Sequence, residues 1–93
     1  MDHFSCGVHL RNQLKELVFD YMRNTSECNS SNIGMCQADI FRNCGLDWGN
    51  YKNARSSQQQ FWLVALLREL EQENKIQRNK YTKRWYVNSK NPS

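Results

Sequence analysis

Little in this sequence breaks regular structure, and no run in it is long and apolar enough to cross a membrane. It has one proline and four glycines in 93 residues, of which 39% are apolar and 24% charged. That composition is typical of an ordinary globular domain rather than of a disordered or fibrous chain. The longest apolar run, FWLVALL at residues 61–67, is well short of a membrane span. The N-terminus lacks both a basic leader and an apolar block, so we expect no signal peptide and an intracellular protein, in cytoplasm or nucleus.

Catalytic motifs are missing as well. The chain has no Ser, His and acid set and no glycine-rich phosphate loop. A single domain of 93 residues is also too small to enclose a deep catalytic cleft. We therefore expect a binding module rather than an enzyme, without a cofactor.

The four cysteines and two histidines do not form a recognisable zinc motif. There is no C-x-x-C pair, and Cys36 and Cys44, if both helical, would lie about 12 Å apart along the helix axis. His3, Cys6 and His9 have a plausible spacing but no second pair of ligands. We expect no bound metal, and free thiols that are mostly buried.

Basic residues are concentrated in the second half of the chain. The net charge is +4, but residues 1–50 carry four Lys or Arg against six Asp or Glu, whereas residues 51–93 carry nine against three. A polyanion-binding surface needs such a concentration of positive charge. The alternative is that these residues only solvate an exposed surface, which is common for any single Lys.

The strongest helical pattern lies between Ser56 and Asn74. Four leucines, Leu63, Leu66, Leu67 and Leu70, recur at the spacing of one helical face. Ser56 or Ser57 is a suitable N-cap, and Asn74 followed by Lys75 suits a helix end. Two short strands then follow, Ile76–Arg78 and Arg84–Val87, around a polar turn at Asn79–Lys83. Trp85 and Val87 are expected to anchor this hairpin in the core, as are Phe61 and Trp62 in the helix.

Two further helices are predicted upstream. The first spans Val8–Arg23, where Leu10, Leu14, Leu17, Val18, Tyr21 and Met22 recur at helical spacing. The polar stretch Asn24–Asn32 predicts a loop. Met35–Cys44 predicts a short helix that ends at Gly45, with Ala38, Ile40, Phe41 and Cys44 on its apolar side. Leu46–Arg55 is then a linker. Its Trp48 and Tyr51 are expected to cover the edge of the core, the alternative being that they stack on an unpaired or modified base.

This order of elements resembles the winged helix-turn-helix family. The resemblance rests on a short helix ending in Gly45, a longer helix with the pattern of Leu67, Leu70 and Ile76, and a basic, aromatic hairpin. It implies an α+β fold, mainly α, in which a three-helix core carries a C-terminal β-hairpin wing. On this interpretation residues 1–9 are an N-terminal extension, residues 10–87 the winged-helix domain and residues 88–93 a polar tail.

The resemblance also implies a DNA interface. In that family the second helix of the pair enters the major groove and the wing lies along the backbone or in the adjacent minor groove. Side chains at the entrance of the long helix can hydrogen-bond bases, and those of the hairpin can bind phosphates or pack on a sugar or base. The predicted DNA-binding residues are therefore Lys52, Asn53, Arg55, Ser56, Ser57, Gln58 and Gln59 before and in the helix, and Arg78, Lys80, Tyr81, Lys83 and Arg84 on the hairpin.

We accordingly expect a protein that binds double-stranded DNA, either as a transcriptional regulator or as the DNA-reading domain of a larger protein such as a restriction or modification enzyme. The alternative is a protein-interaction module without DNA binding, for which the acidic run Glu69–Glu73 would face a basic partner. No heptad pattern indicates a dimer, so a monomer is expected in isolation.

Overall fold

The helices precede a single hairpin along the chain. The structure, a computed structural model, describes residues 2–46 and 61–88. Within these ranges the order is α1 (His3–Arg23), a 3-10 turn (Ser26–Asn29), α2 (Gln37–Asn43), α3 (Phe61–Gln72), β1 (Ile76–Arg78) and β2 (Trp85–Val87). The fold is a small α+β arrangement, mainly helical, and it is compatible with a winged-helix layout. The predicted start of the long helix at Ser56, the linker aromatics Trp48 and Tyr51, and the side chains of Phe61 and Trp62 lie outside what is described.

Helix α1 begins at His3, five residues before the predicted start at Val8. The Asp2 carboxylate accepts a hydrogen bond from the Ser5 amide at 2.7 Å, which satisfies one of the orphan donors of the first turn. That bond holds the pKa of the Asp2 carboxyl below its usual value. A capped first turn lets the helix extend through Gly7, a residue with low helix propensity.

The end of α1 at Arg23 agrees with the prediction, and the following loop caps it. The Asn29 side-chain amide donates to the carbonyls of Met22, Arg23 and Thr25 at 3.3, 2.9 and 2.9 Å. The Met22 and Arg23 carbonyls are among those that the last turn of α1 leaves without intrahelical partners. The loop prediction is therefore incomplete, because Ser26–Asn29 form a 3-10 turn that buries Cys28.

Helix α2 is shorter than predicted, but its end is as expected. Gly45 adopts a left-handed φ of 74°, its amide donates to the Arg42 carbonyl at 3.0 Å, and the Leu46 amide donates to the Phe41 carbonyl at 2.8 Å. This is a Schellman arrangement, which favours glycine because the backbone is left-handed.

Helix α3 also ends in a Schellman arrangement, with Asn74 in the left-handed position. Asn74 has φ 63°, its amide donates to the Glu71 carbonyl, and the Lys75 amide donates to the Leu70 carbonyl, both at 3.0 Å. Asparagine is the residue other than glycine that most readily adopts this conformation. The predicted stop near Asn74 is confirmed, and it turns the chain directly into β1.

The hairpin pairs β1 with β2 and gains one more contact from the segment before α2. The antiparallel register pairs Gln77 with Tyr86 and Arg78 with Trp85. Met35, which we assigned to the start of α2, instead forms an antiparallel bridge with Trp85, with both N–H···O distances at 2.9 Å. The preceding Gly34 is left-handed, and a Cβ there would lie 2.9 Å from the Arg84 Cβ. The close approach of these two backbones therefore requires glycine.

One core lies between the helices and the inner face of the hairpin. Its large, fully buried side chains are Trp85, Phe41, Met22, Ile40, Leu63, Leu67, Leu70, Ile76 and Val18. The predicted burial of the four leucines of α3 and of Trp85 is confirmed, while Val87 is half-buried against the core. This core fixes the base of the hairpin and leaves its far end in solvent.

The apolar residues that predicted α1 are not all in the core. Val18 and Met22 are fully buried, whereas Leu10 and Leu17 are 58% and 44% exposed. The face of α1 that packs on the core is therefore narrower than the apolar stripe of the sequence. In the part of the chain that is described, no helix has the length and apolar character of a membrane span.

Candidate nucleic-acid interface

The end of the hairpin away from the core carries the most exposed basic cluster of the described residues. We call residues 79–84 the hairpin tip. Its cations, Lys80, Lys83 and Arg84, are all exposed, and Tyr81 between them is 93% exposed. Among the residues that the structure describes, no carboxylate forms a salt bridge with any of the three cations. The tip therefore presents its positive charge to solvent.

Asn79 holds the tip in one conformation. Its side-chain oxygen accepts hydrogen bonds from the amides of Tyr81 at 2.8 Å and Thr82 at 3.0 Å. The Asn79 backbone amide donates to the Arg84 carbonyl at 2.8 Å, and the Asn79 backbone carbonyl accepts from the Lys83 amide at 2.9 Å. An Asn that bonds the backbone two residues on is a common way to build a turn.

Contacts outside the turn brace the tip further. The Asn79 side-chain amide donates to the Ser31 carbonyl at 3.2 Å, which ties the tip to the loop after α1. Lys83 takes a left-handed φ of 64°, and the Arg78 Nε donates to its carbonyl at 3.3 Å. These bonds fix the tip relative to the core, so its cations project from a defined base.

Arg78 links the tip to the core. Its guanidinium carbon lies 5.5 Å from the centroid of the Trp85 ring, within the range of a cation–π contact. Trp85 itself is fully buried. Arg78 is thus half-buried, unlike the three cations of the tip.

Where α1 packs against α3, the basic residues form ion pairs, unlike the cations of the hairpin tip. Lys15, whose side chain is 12% exposed, bonds Glu73 and lies 3.4 Å from Glu69. Arg11 lies 3.7 Å from Glu69, and Lys75 lies 3.4 Å from Glu73. We call these five residues the helix-pair network. Two members of the acidic run Glu69–Glu73 are therefore neutralised within the domain, which reduces what the run offers to a basic partner.

The hydrogen bond between Lys15 and Glu73 shifts the pKa of both groups. It raises the pKa of Lys15 above its ordinary 10.5 and lowers the pKa of Glu73 below its ordinary 4.5. Each partner favours the charged form of the other. Lys15 and Glu73 are thus both ionised at neutral pH, and the network joins three basic residues to two acidic ones.

Two thiols of the described region, those of Cys28 and Cys44, are poor nucleophiles. Burial raises the pKa of Cys28 and of Cys44 to about 11, so both stay protonated at neutral pH. Cys36 donates from Sγ to an Asp39 carboxylate oxygen at 3.1 Å. All four cysteines are free, but of these only Cys28 is fully enclosed, the others being half-buried. Within residues 2–46 and 61–88, no three or more His, Cys, Asp or Glu side chains are grouped as metal ligands would be.

The structure brings together five of the twelve residues predicted to contact DNA. Arg78, Lys80, Tyr81, Lys83 and Arg84 all lie at or beside the hairpin tip. The other seven, Lys52, Asn53, Arg55, Ser56, Ser57, Gln58 and Gln59, lie outside the described residues. The prediction missed Asn79, which positions the tip. The signal for it was an Asn placed two and three residues before Tyr81 and Thr82, the spacing of an Asx turn.

Comparison with protein-family models, with curated proteins and with solved structures gave no match.

Proposed function

We propose that this chain is a winged-helix domain that binds double-stranded DNA. Its wing is the hairpin, whose tip holds phosphates with Lys80, Lys83 and Arg84. The observation that carries the proposal is that these cations are exposed, unpaired with any described carboxylate, and fixed on a braced turn. DNA binding depends on such cations, because neutralising a phosphate releases condensed counterions.

The proposal assigns base contacts to the stretch before α3. In sequence, residues 52–59 are separated from Phe61 by Gln60 alone, and they supply Asn, Gln and Arg side chains of the kinds that pair with adenine and guanine edges. Leu63, Leu67 and Leu70 are buried, which fixes α3 on the core. The N-terminal residues of a recognition helix are those that contact bases, and the opposite end of α3 leads into the hairpin.

Anisotropy of a fluorescently labelled mixed-sequence duplex, titrated with the protein at several salt concentrations, tests the proposal. We expect micromolar binding that weakens steeply as salt rises, with a slope of log K against log salt near −0.9 for each phosphate contacted. Lys80→Gln should make that slope shallower by about one contact at every DNA sequence. Arg23→Gln is the matched control, since Arg23 is an exposed cation at the C-terminal end of α1 that is already paired with Asp20 at 3.5 Å. No binding at low salt would refute the proposal.

Protein docking is the second candidate, and one feature of α1 favours it. Phe4 is 80% exposed and Leu10 58%, and Leu10 and Leu14 line a groove of about 430 Å³ with Ala65 and Leu66 of α3. An exposed apolar groove is typical of interaction sites. In a domain that binds protein only, the duplex titration would show no binding, and Leu10→Ser would abolish capture of the partner.

A further inference from the structure

The outer face of the hairpin forms a cleft with the end of α3. Its volume is about 520 Å³, and the residues lining it include Glu71 from α3, Gln77, Arg78 and Tyr86 from the strands, and Lys80 and Tyr81 from the tip. Sites for small ligands usually have a volume of about 300 to 1,000 Å³. A single nucleotide is a ligand of suitable size.

Two aromatic rings border this cleft. The Tyr86 hydroxyl donates to the Gln77 side-chain oxygen at 2.8 Å, across the directly paired positions of the two strands. That bond fixes the Tyr86 ring on the outer face of the hairpin. The Tyr81 ring stands almost fully exposed on the tip, where it has no part in the core. Exposed aromatic rings on a fixed base are the platforms on which nucleobases stack.

Charge is distributed unequally along the cleft. Lys80 lies toward the tip, whereas Glu71 lies at the α3 end. A phosphate therefore binds favourably at the tip end and is repelled at the other. The base of the same nucleotide then meets the rings, because both line the same cleft.

We propose that this cleft binds one unpaired nucleotide of a DNA strand, with its base on Tyr81 and Tyr86 and its phosphate on Lys80. The inference rests on the proposed function, since the tip that holds duplex phosphates is also one end of the cleft. A paired base inside a continuous duplex has both faces covered by its neighbours. Only an unpaired nucleotide offers a free face, so the protein should prefer DNA with a gap.

Three labelled DNAs of one sequence test this: a continuous duplex, the same duplex with a short single-stranded gap, and the single strand. We expect the gapped duplex to bind at least about fivefold more tightly than the continuous one, since one base stacked on an aromatic ring gives about that factor or more. Tyr81→Ala should remove the preference, so that this variant binds the gapped and the continuous duplex with equal affinity. Tyr81→Phe should retain it.

Phe4→Ala is the matched control, because Phe4 is also an exposed aromatic residue, 80% exposed on α1 and remote in sequence from the hairpin. It should keep the preference for the gap. Thermal melts should show that both alanine variants are folded, since neither ring belongs to the core.

The outcomes separate the two proposals. Equal affinity for gapped and continuous duplex, or a preference that survives Tyr81→Ala, overturns the cleft inference and leaves duplex binding intact. Tight binding to the gap or single strand without duplex binding supports the cleft and refutes the proposed function, and no binding to any DNA refutes both. Free thymidine monophosphate should fail to displace the gapped DNA at equal nucleotide concentration; displacement would assign the cleft to free nucleotides and overturn the strand-binding inference.

Discussion

Two groups of basic side chains in the described part of the molecule have opposite surroundings. In the helix-pair network, Lys15 is almost enclosed and bonds two carboxylates. On the hairpin tip, Lys80, Lys83 and Arg84 are exposed and pair with none of the described carboxylates. The net charge of +4 therefore does not show where an interface lies. A candidate interface lies where the fold leaves cations without a carboxylate partner.

The difference has a physical cause. Where two helices pack, an unpaired ammonium near the interface would lose hydration without compensation, so it is stable there only beside carboxylates. At the tip, water solvates each cation fully, and the backbone turn rather than an ion pair fixes its position. The first arrangement stabilises the fold, while the second leaves charge available to a ligand.

Charge reversal should produce the largest effects: on DNA affinity when it is made at the hairpin tip, and on stability when it is made in the helix-pair network. We expect Lys83→Glu to weaken duplex binding by about tenfold or more, because a contact between a charged donor and a phosphate contributes about 1.5 kcal/mol or more. Its free energy of unfolding should change by less than about 0.5 kcal/mol, as for most surface substitutions. Anisotropy and urea titrations measure the two quantities.

Lys15→Glu is the matched reversal in the helix-pair network. It should lower the free energy of unfolding by about 1 to 2 kcal/mol, since it removes ion pairs and places three carboxylates together. Duplex affinity of the folded protein should stay unchanged. If Lys15→Glu weakened DNA binding as much as Lys83→Glu does, the comparison between the two places would be wrong.

Loosening the tip should have a moderate effect on both quantities. Asn79→Ala removes the acceptor of the Tyr81 and Thr82 amides and the donor to Ser31. We expect it to lower the free energy of unfolding by about 1 kcal/mol. It should also weaken DNA binding severalfold, because the tip is no longer preorganised in its binding conformation. Denaturant titration and anisotropy give both values.

Asn79→Asp sharpens this test. It keeps the acceptor for the two amides, so most of the stability should remain, but its negative charge beside the tip cations should still reduce DNA affinity. Unchanged stability and affinity in Asn79→Ala would show that the side chain does not position the tip.

The smallest effect should come from pH, and the helix-pair network should contribute to it on both the acid and the alkaline side. The pKa of Glu73 in the folded protein lies below its ordinary 4.5. Its stabilising contribution is therefore complete above about pH 4.5 and is lost as pH falls through the lower, folded value. The pKa of Lys15 lies above its ordinary 10.5, so its contribution is complete below that pH and is lost as pH rises through the folded value.

Urea unfolding at about pH 6 and about pH 3 measures the acid limb. Lys83→Gln should keep the loss of stability on acidification that wild type shows, whereas Lys15→Met should reduce it. If both variants lost equal stability on acidification, Lys15 would not be the partner that lowers the pKa of Glu73.

Much of the fold could be predicted because it depends on local signals. The spacing of Leu63, Leu66 and Leu67 predicts the buried face of α3, and Gly45 and Asn74 mark helix ends because both tolerate a left-handed backbone. The Met35 bridge could not be predicted in this way. A single bridged residue leaves no alternating pattern, and its partner Trp85 lies 50 positions along the chain.

The candidate site could be predicted only in part, because part of it depends on contacts between residues far apart in sequence. Lys80, Tyr81 and Lys83 stand out as a basic, aromatic turn in the sequence. Whether a cation is neutralised depends on contacts between distant positions, and Lys15 meets Glu69 and Glu73 across 54 and 58 residues. No local pattern distinguishes Lys15 from the lysines of the tip.

A map of amide chemical shifts in ¹⁵N-labelled protein, titrated with duplex DNA at low salt, tests most directly whether the hairpin tip binds DNA. We expect the amides of the hairpin tip, from Lys80 to Arg84, to shift strongly, while those of Arg11, Lys15 and Glu73 stay in place. Shifts concentrated in the helix-pair network, or none anywhere, would contradict that expectation.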